Sequence, residues 1–254
     1  MLNEILSTDI YRFFLLFTRL GAAMMFMPGF GGQRVPVRFQ LLFALALAFL
    51  LLPVLGTQIP PLPRRVGDLV VLMMGEALIG IFMGMVLQTI MMALHVAGTF
   101  IGFQTGLTNA FSFDFVAEQQ SSLLTSFLAN LALVAVFATD MHHVMLRAIV
   151  DTYAVFPPGQ PVPVGEFSEM LSKMASASFN LGIKLAAPLM AFGLIFYAGL
   201  GLLSRMVPQM QVFFVALPVQ VIAGLWMLMV GLPVMMLVFL RNMDETLAPF
   251  LVPR

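Results

Sequence analysis

The sequence contains no cysteine and few charged residues, and these shortages remove several classes of protein from consideration. Without cysteine there can be no disulfide, no thiol nucleophile and no zinc site built on thiolates. Twelve Lys and Arg balance twelve Asp and Glu, so no basic surface for nucleic acid is indicated. Charged residues make up 9% of the chain and hydrophobic residues 61%, far from the composition of a soluble domain. The chain is therefore predicted to lie in a membrane.

Recognisable catalytic and nucleotide-binding motifs are also missing. The sequence contains no H-E-x-x-H, no G-x-S-x-G and no G-x-x-x-x-G-K-[ST], and its acidic residues are scattered without a clear acid and base pair. His142 and His143 are adjacent, so on a helix their side chains point about 100° apart, which is poor spacing for a shared metal. We expect no enzyme, no cofactor and no metal site.

Strongly apolar segments follow one another along the chain. They cover residues 10–27, 39–55, 69–106, 123–150, 175–203 and 212–240. A membrane-spanning helix needs about 20 apolar residues, so the second segment is short for a span and the last four exceed one straight crossing. Pro188, Pro218 and Pro233 interrupt apolar runs and predict kinks.

Basic residues on both sides of the short second segment conflict with simple alternate crossings. Arg34 and Arg38 precede the segment, and Arg64 and Arg65 follow it, although positive charge favours one side of the membrane. Hairpins that turn back inside an assembly would remove the conflict. The predicted fold class is thus an all-α membrane protein of kinked helices and helical hairpins. Residues 1–254 are predicted to form one integral unit with no separate soluble domain.

Charges inside the apolar runs are few. They are Arg12, Arg19, Glu76, Asp140, Arg147 and Lys184, with Arg205 at the end of a run. Glu76 shares a helix face with Gly80 and Gly84, a spacing that lets another helix approach closely. Glu76 is therefore predicted to lie at a packing interface between helices.

Two further polar stripes follow from the same spacing argument. Arg12 and Arg19 share one helix face, and Asp140, His143 and Arg147 share another. These residues are predicted to pair with neighbouring helices or with one another. The alternative is a proton or ion path with His143 as the switch, because imidazole titrates near neutrality.

A second glycine series, Gly98, Gly102 and Gly106, leads into a polar break at residues 107–120. The break carries an aromatic residue at every second position: Phe111, Phe113 and Phe115. Irregular polar backbone cannot face lipid, so this segment must border water or protein. The pattern fits an ordinary loop outside the membrane, a pore loop, or a short strand with its rings on one side.

Four stretches together resemble a known family. They are residues 19–53, 75–111, 150–159 and 201–221, and the most diagnostic pieces are the LSRMVPQ run at 203–209 and the segment from Arg34 to Arg38. The chain resembles the R-type component of the bacterial type III export gate, the FliR/YscT/SpaR family, over essentially its whole length.

The resemblance implies a non-enzymatic gate subunit in the bacterial inner membrane at the flagellar basal body. Such a subunit assembles once per complex with P-type and Q-type membrane proteins, and is itself similar in part to a P-type and a Q-type subunit joined in one chain. The further partners implied are the B-type and A-type flagellar export membrane proteins, unfolded export substrates in transit, and membrane lipid.

The resemblance also implies roles for the polar break. Phe111, Phe113 and Phe115 would be hydrophobic stoppers that close the channel at rest, and Gly102 and Gly106 would let the loop fold against its helix. An ion must shed water to pass apolar rings, so a closed constriction would limit leakage.

Three alternatives stay open from the sequence. A virulence injectisome homologue would share the fold and mechanism. A secondary transporter would require the polar face of Asp140, His143 and Arg147. An intramembrane enzyme with dispersed catalytic residues would show turnover that one polar substitution abolishes.

Overall fold

The computed structural model describes residues 2–32, 35–106, 123–206 and 212–252. Within these ranges all regular structure is helical. The α-helices are α1 (Leu2–Phe26), α2 (Val37–Leu55), α3 (Val66–Gln104), α4 (Leu123–Ala138), α5 (Met141–Val155), α6 (Val164–Met206) and α7 (Val212–Leu247). Short 3₁₀ turns follow α2 and α7, at Gly56–Gln58 and Ala248–Phe250.

Four of the described helices are long and apolar enough to cross a membrane. They are Val37–Gln58, Val66–Gln104, Val164–Met206 and Ala216–Phe250, and α4 with α5 adds a fifth if that bent pair is one span. The prediction of an all-α membrane protein is confirmed. The segment that seemed short for a span is longer in the structure, where α2 has 19 residues and the continuous helical stretch from Val37 to Gln58 has 22.

The fourth apolar run is divided instead of continuous. α4 ends at Ala138, and Asp140 takes the left-handed conformation with φ 58° before α5 begins. A non-glycine residue tolerates this conformation best when it is Asn or Asp, so the acidic residue suits the break. By contrast α6 and α7 continue through Pro188, Pro218 and Pro233. The kinks expected at these prolines stay a prediction.

Contacts along the chain divide it into two compact units. Unit 1 comprises Met1–Ile90, Asp140–Ala175 and Met243–Arg254, and unit 2 comprises Met91–Thr139 and Ser176–Asn242. α3, α6 and α7 each contribute residues to both units. The single integral subunit over residues 1–254 stays a prediction.

Unit 1 is built around α1 and an aromatic cluster. α1 packs against α2 and buries Leu15, Leu16 and Met24. The ring of Phe82 in α3 stacks on the ring of Phe167 in α6, with 3.9 Å between centroids. Phe156 and Phe250 contact Phe82 edge-on.

Unit 2 buries apolar side chains from all of its helical segments. Its core includes Leu94 and Ile101 of α3, Leu128 and Ala132 of α4, and Leu189 of α6. The pairs in α3 and α4 are seven and four residues apart, spacings with which a helix presents one face to its neighbours.

Candidate functional site

Arg19 of α1 and Glu76 of α3 form a buried ion pair in unit 1. Arg19 Nε donates to Glu76 Oε2 at 2.6 Å, and Arg19 Nη2 donates to Glu76 Oε1 at 2.9 Å. Their side chains are 0% and 2% exposed. Two parallel hydrogen bonds between a guanidinium and a carboxylate give the strongest common form of this contact.

The rest of the guanidinium is satisfied by α5 and the residue that follows it. Arg19 Nη1 donates to Thr152 Oγ1 at 3.3 Å, and Nη2 donates to the Phe156 carbonyl at 3.0 Å. The Tyr153 ring lies 4.0 Å from Arg19 Cζ, in cation–π geometry. We call Arg19, Glu76, Thr152, Tyr153 and Phe156 the ion-pair cluster. It ties α1, α3 and α5 together.

Glycines on the Glu76 face allow α1 to approach α3 closely. A Cβ at Gly80 would lie 2.3 Å from the Arg19 carbonyl oxygen, and one at Gly84 would lie 2.6 Å from Phe26 Cβ. The structure thus brings Glu76, Gly80, Gly84 and Arg19 to one helix–helix contact, and the two glycines leave room for the backbone that carries Arg19.

Arg12 and Arg205 lie outside the ion-pair cluster. Arg12 pairs at 3.5 Å with Asp9 of its own helix, and both side chains are at least one-third exposed. Arg205 is exposed in the last turn of α6. Of the two arginines predicted to share a helix face, only Arg19 forms a buried ion pair with Glu76.

The predicted face of Asp140, His143 and Arg147 is broken where α5 begins. Asp140 precedes the helix, and its carboxylate lies 3.6 Å from His143 Nδ1 with both side chains exposed. Arg147 instead pairs with Asp151 at 3.4 Å and donates to the Val252 carbonyl at 3.1 Å. The face divides because Asp140 is not helical.

The adjacent histidines do not point apart as the sequence suggested. Their ring centroids are 4.1 Å apart, and possible ligand atoms of Asp140, His142 and His143 all lie within 4.8 Å of one another. These distances contradict the spacing argument against a shared metal, and the absence of a metal site stays a prediction. The side chains of Asp140 and His143 are exposed, and exposed acidic groups are common without a metal ion.

The carboxyl end of α3, with two polar residues that contact it, forms a second candidate site in unit 2. We call Gln104, Thr105, Gly106, Tyr197 and Gln220 the loop base. Gln220 Nε2 donates to the Gln104 carbonyl at 2.7 Å and lies 2.9 Å from the Tyr197 hydroxyl. Gly106 has φ 72°, the left-handed conformation that favours glycine at the end of a helix.

The glycine series on α3 reaches this second site. A Cβ at Gly98 would lie 2.6 Å from Thr125 Cα, so α4 passes very close to α3 there. Gly102 is buried, and its carbonyl accepts from Thr105 Oγ1 at 3.3 Å. The predicted stoppers Phe111, Phe113 and Phe115 lie outside the described residues.

Sequence reasoning missed several polar residues that the sites use. Thr152 and Tyr153 complete the ion-pair cluster, Asp151 holds the Val252 amide at 3.1 Å, and Tyr197 and Gln220 belong to the loop base. One signal was available for Gln220, which is a polar residue within a long apolar stretch of α7. The partners of these residues could not be found because they lie more than twenty residues away along the chain.

Comparisons with known proteins give one consistent result. The family model described as bacterial export proteins, family 1, matches residues 10–246. The flagellar biosynthetic protein FliR of Caulobacter vibrioides is 39% identical over 242 residues, which cover 95% of this chain and 96% of that protein. FliR of Bacillus subtilis is 30% identical over 92% of this chain and 91% of its own length. FliR of Escherichia coli is 30% identical over 79% of this chain and 76% of its own length.

Proposed function

Because the chain belongs to the bacterial export proteins of family 1, we propose that it is a gate subunit of the flagellar protein export channel in the bacterial inner membrane. The resemblance to the FliR family is confirmed, and the chain is an integral membrane component of flagellar export. The observation that carries the finer proposal is the extent of the match, since the likeness to a FliR protein spans 95% of the chain. A match of this extent includes nearly all of the helices, as expected if the whole chain takes part in the gate.

The proposed partners are P-type and Q-type membrane proteins, with one copy of this chain per complex, in contact with B-type and A-type export proteins. The amount of uncovered apolar surface is consistent with an assembled state in a membrane. The most apolar windows of α2, α6 and α7 have only 28%, 28% and 22% of their residues buried. Such surfaces need lipid or partner helices around them. Unfolded export substrates would pass through the assembled channel.

A structural and gating role also agrees with how the buried charges are used. The Glu76 carboxylate accepts from Arg19 at both oxygens and is 2% exposed, so it is held in place and kept from solvent. A general base needs a free acceptor within reach of a substrate proton. The ion-pair cluster supports a non-enzymatic subunit in which polar groups fasten helices together.

The proposed closing element is the segment that begins after Gly106. Phe111, Phe113 and Phe115 would seal the resting channel, because apolar rings in a constriction oppose hydrated ions. The left-handed Gly106 supports a sharp turn of the chain away from α3 at this point. The role of each phenylalanine is a proposal from the family resemblance.

Co-expression tests the proposed assembly. The tagged chain is produced with the P-type and Q-type proteins of the same genome, and the purified material is measured by native mass spectrometry. We expect one mass that corresponds to a single copy of this chain with several copies of both partners. A lone monomer or homodimer, from cells that contain both partners in the membrane fraction, would contradict the proposal.

A further inference from the structure

Gln220 is a buried polar residue of α7 that binds the end of α3. The residue is 2% exposed, and its side-chain amide donates to the Gln104 carbonyl at 2.7 Å. Gln104 is the last residue of α3, and the last four carbonyls of a helix have no partner within the helix. Gln220 therefore supplies a donor that the helix end lacks.

Tyr197 of α6 completes this contact. Its hydroxyl lies 2.9 Å from Gln220 Nε2, so the amide reaches the Gln104 carbonyl and the phenol together. Both protons of the amide nitrogen then have acceptors. The same side chain thus joins α3, α6 and α7 within unit 2.

Two glycines leave room for the end of α3. A Cβ at Gly193 of α6 would lie 1.9 Å from Gln104 Oε1, and one at Gly224 of α7 would lie 2.6 Å from Thr105 Cγ2. Gly193 is four residues before Tyr197, and Gly224 is four residues after Gln220. On one face, α6 and α7 therefore each carry a glycine that permits close contact with the end of α3 and a polar residue that takes part in the hydrogen bonds there.

Gly106 lies directly against the same amide. A Cβ at Gly106 would be 3.4 Å from Gln220 Cδ and Nε2, and its backbone already has φ 72°. The direction in which the chain leaves α3 is thus set beside Gln220. Gln220 therefore contacts the end of α3, the turn at Gly106 and Tyr197 of α6.

We propose that Gln220 is a positioning residue of the export gate, which fixes the exit of the chain from α3 at Gly106. The inference rests on the proposed function, because only in a gate does this exit direction have a consequence for ion flow. Loss of the amide would leave the Gln104 carbonyl, at a part-buried helix end, without the donor that Gln220 supplies, which favours a shifted helix end.

The chain has no cysteine, so a single introduced thiol can be labelled specifically. Ser112→Cys gives the chain a single thiol, whose maleimide labelling rate is measured on this chain in the assembled complex. Gln220→Met keeps an unbranched side chain of similar size and removes the amide. Tyr197→Phe removes the hydroxyl and keeps the ring. The matched control is Gln88→Met, because Gln88 Nε2 donates to the Phe26 carbonyl at 2.8 Å in unit 1.

We expect Gln220→Met to change the labelling rate by about threefold to tenfold at unchanged assembly yield, the scale of one or two lost hydrogen bonds. Tyr197→Phe should change it less and in the same direction, and Gln88→Met should leave it unchanged. A rate in Gln220→Met equal to that of the Gln88→Met control overturns the proposal. If Gln220→Met does not assemble, Tyr197→Phe decides, and a rate equal to the parent's overturns it.

Ion leakage, measured on the same complexes, separates this inference from the proposed function. A changed labelling rate with increased leakage supports both. A changed rate with unchanged leakage supports the positioning role of Gln220 and contradicts a sealing role for the segment after Gly106. An unchanged rate contradicts the positioning role whatever the leakage.

Discussion

At the scale of single residues, the chain places two opposite charges in its interior and satisfies both. The Arg19 guanidinium has hydrogen bonds to Glu76, Thr152 and Phe156, and the ring of Tyr153 covers its face. Removal of one partner from a buried pair leaves an uncompensated charge, and this costs far more than the net stabilisation from the pair.

Replacement of either member of the pair should destabilise unit 1 strongly. We expect Arg19→Met and Glu76→Leu each to lower the free energy of unfolding by about 3–5 kcal/mol and to reduce the yield of assembled complex. The double variant should lose less than the sum of the two, because no isolated charge remains. Thermal unfolding in detergent and complex yield measure this cycle.

Arg12→Met is the matched control for that cycle. Arg12 pairs with Asp9 in a partly exposed position of the same helix, so its loss should change stability by no more than about 1 kcal/mol. Losses that simply add in the double variant would show that Arg19 and Glu76 act independently, contrary to the bidentate contact.

At the scale of helices, α3 uses glycine at different places for different neighbours. Gly80 and Gly84 admit α1, Gly98 admits α4, and Gly106, two residues after the helix ends, takes the left-handed conformation. Helix association in a membrane depends on such close packing, because lipid is as apolar as the side chains it would replace.

A methyl group at Gly80 should therefore be sufficient to disturb unit 1. The new Cβ would lie 2.3 Å from the Arg19 carbonyl oxygen, and backbone cannot rotate out of the way as a side chain can. We expect Gly80→Ala to destabilise by about 1–3 kcal/mol, as overpacking does. Thermal unfolding and complex yield measure it.

Gly67→Ala is the control within the same helix. Nothing lies within 4 Å of a Cβ at Gly67. The change should be neutral or stabilising by up to about 1 kcal/mol, since alanine favours helix over glycine. A loss at Gly67 as large as the loss at Gly80 would mean that contact with α1 does not explain the effect.

The break between α4 and α5 has its own test at Asp140. A left-handed conformation costs a residue with a Cβ about 1 kcal/mol more than glycine. We expect Asp140→Gly to be more stable than Asp140→Ala by about this amount, because both variants lack the carboxylate and differ in backbone freedom. If thermal unfolding shows the two to be equal, the φ of 58° is not maintained in the folded protein.

At the scale of the whole molecule, each compact unit holds a few polar groups within an apolar core, and many large apolar side chains also remain exposed. Phe49, Met206, Trp226 and Met229 are each at least 67% exposed in the isolated chain. In water this surface would aggregate, whereas in a membrane or a helical assembly it is the contact surface.

If the chain is a gate subunit, assembly of the complex and sealing of the channel should depend on different residues. Combined Phe111→Ala, Phe113→Ala and Phe115→Ala should leave assembly intact and increase ion leakage, because apolar rings that exclude hydrated ions are lost. Phe127→Ala, which removes a 45% exposed ring from α4, is the control for loss of aromatic surface and should not increase leakage. Unchanged leakage in a fully assembled triple variant would remove the stopper role.

The sequence by itself determined the class of protein and several contact faces. Its composition required a membrane, its apolar segments required helices, and the spacing of Glu76, Gly80 and Gly84 marked a helix contact. These features are local, since each depends on composition or on residues within two or three turns of one helix.

Only the tertiary structure decided which residues meet across the chain. Glu76 binds Arg19 57 positions away, Arg19 binds Phe156 at a separation of 137, and Gln220 binds Gln104 at a separation of 116. The sequence of a helix face shows that the face needs a partner but does not show which one, because many apolar faces fit one another about equally well. The choice depends on how glycines and hydrogen-bonding groups of distant segments come together in each unit.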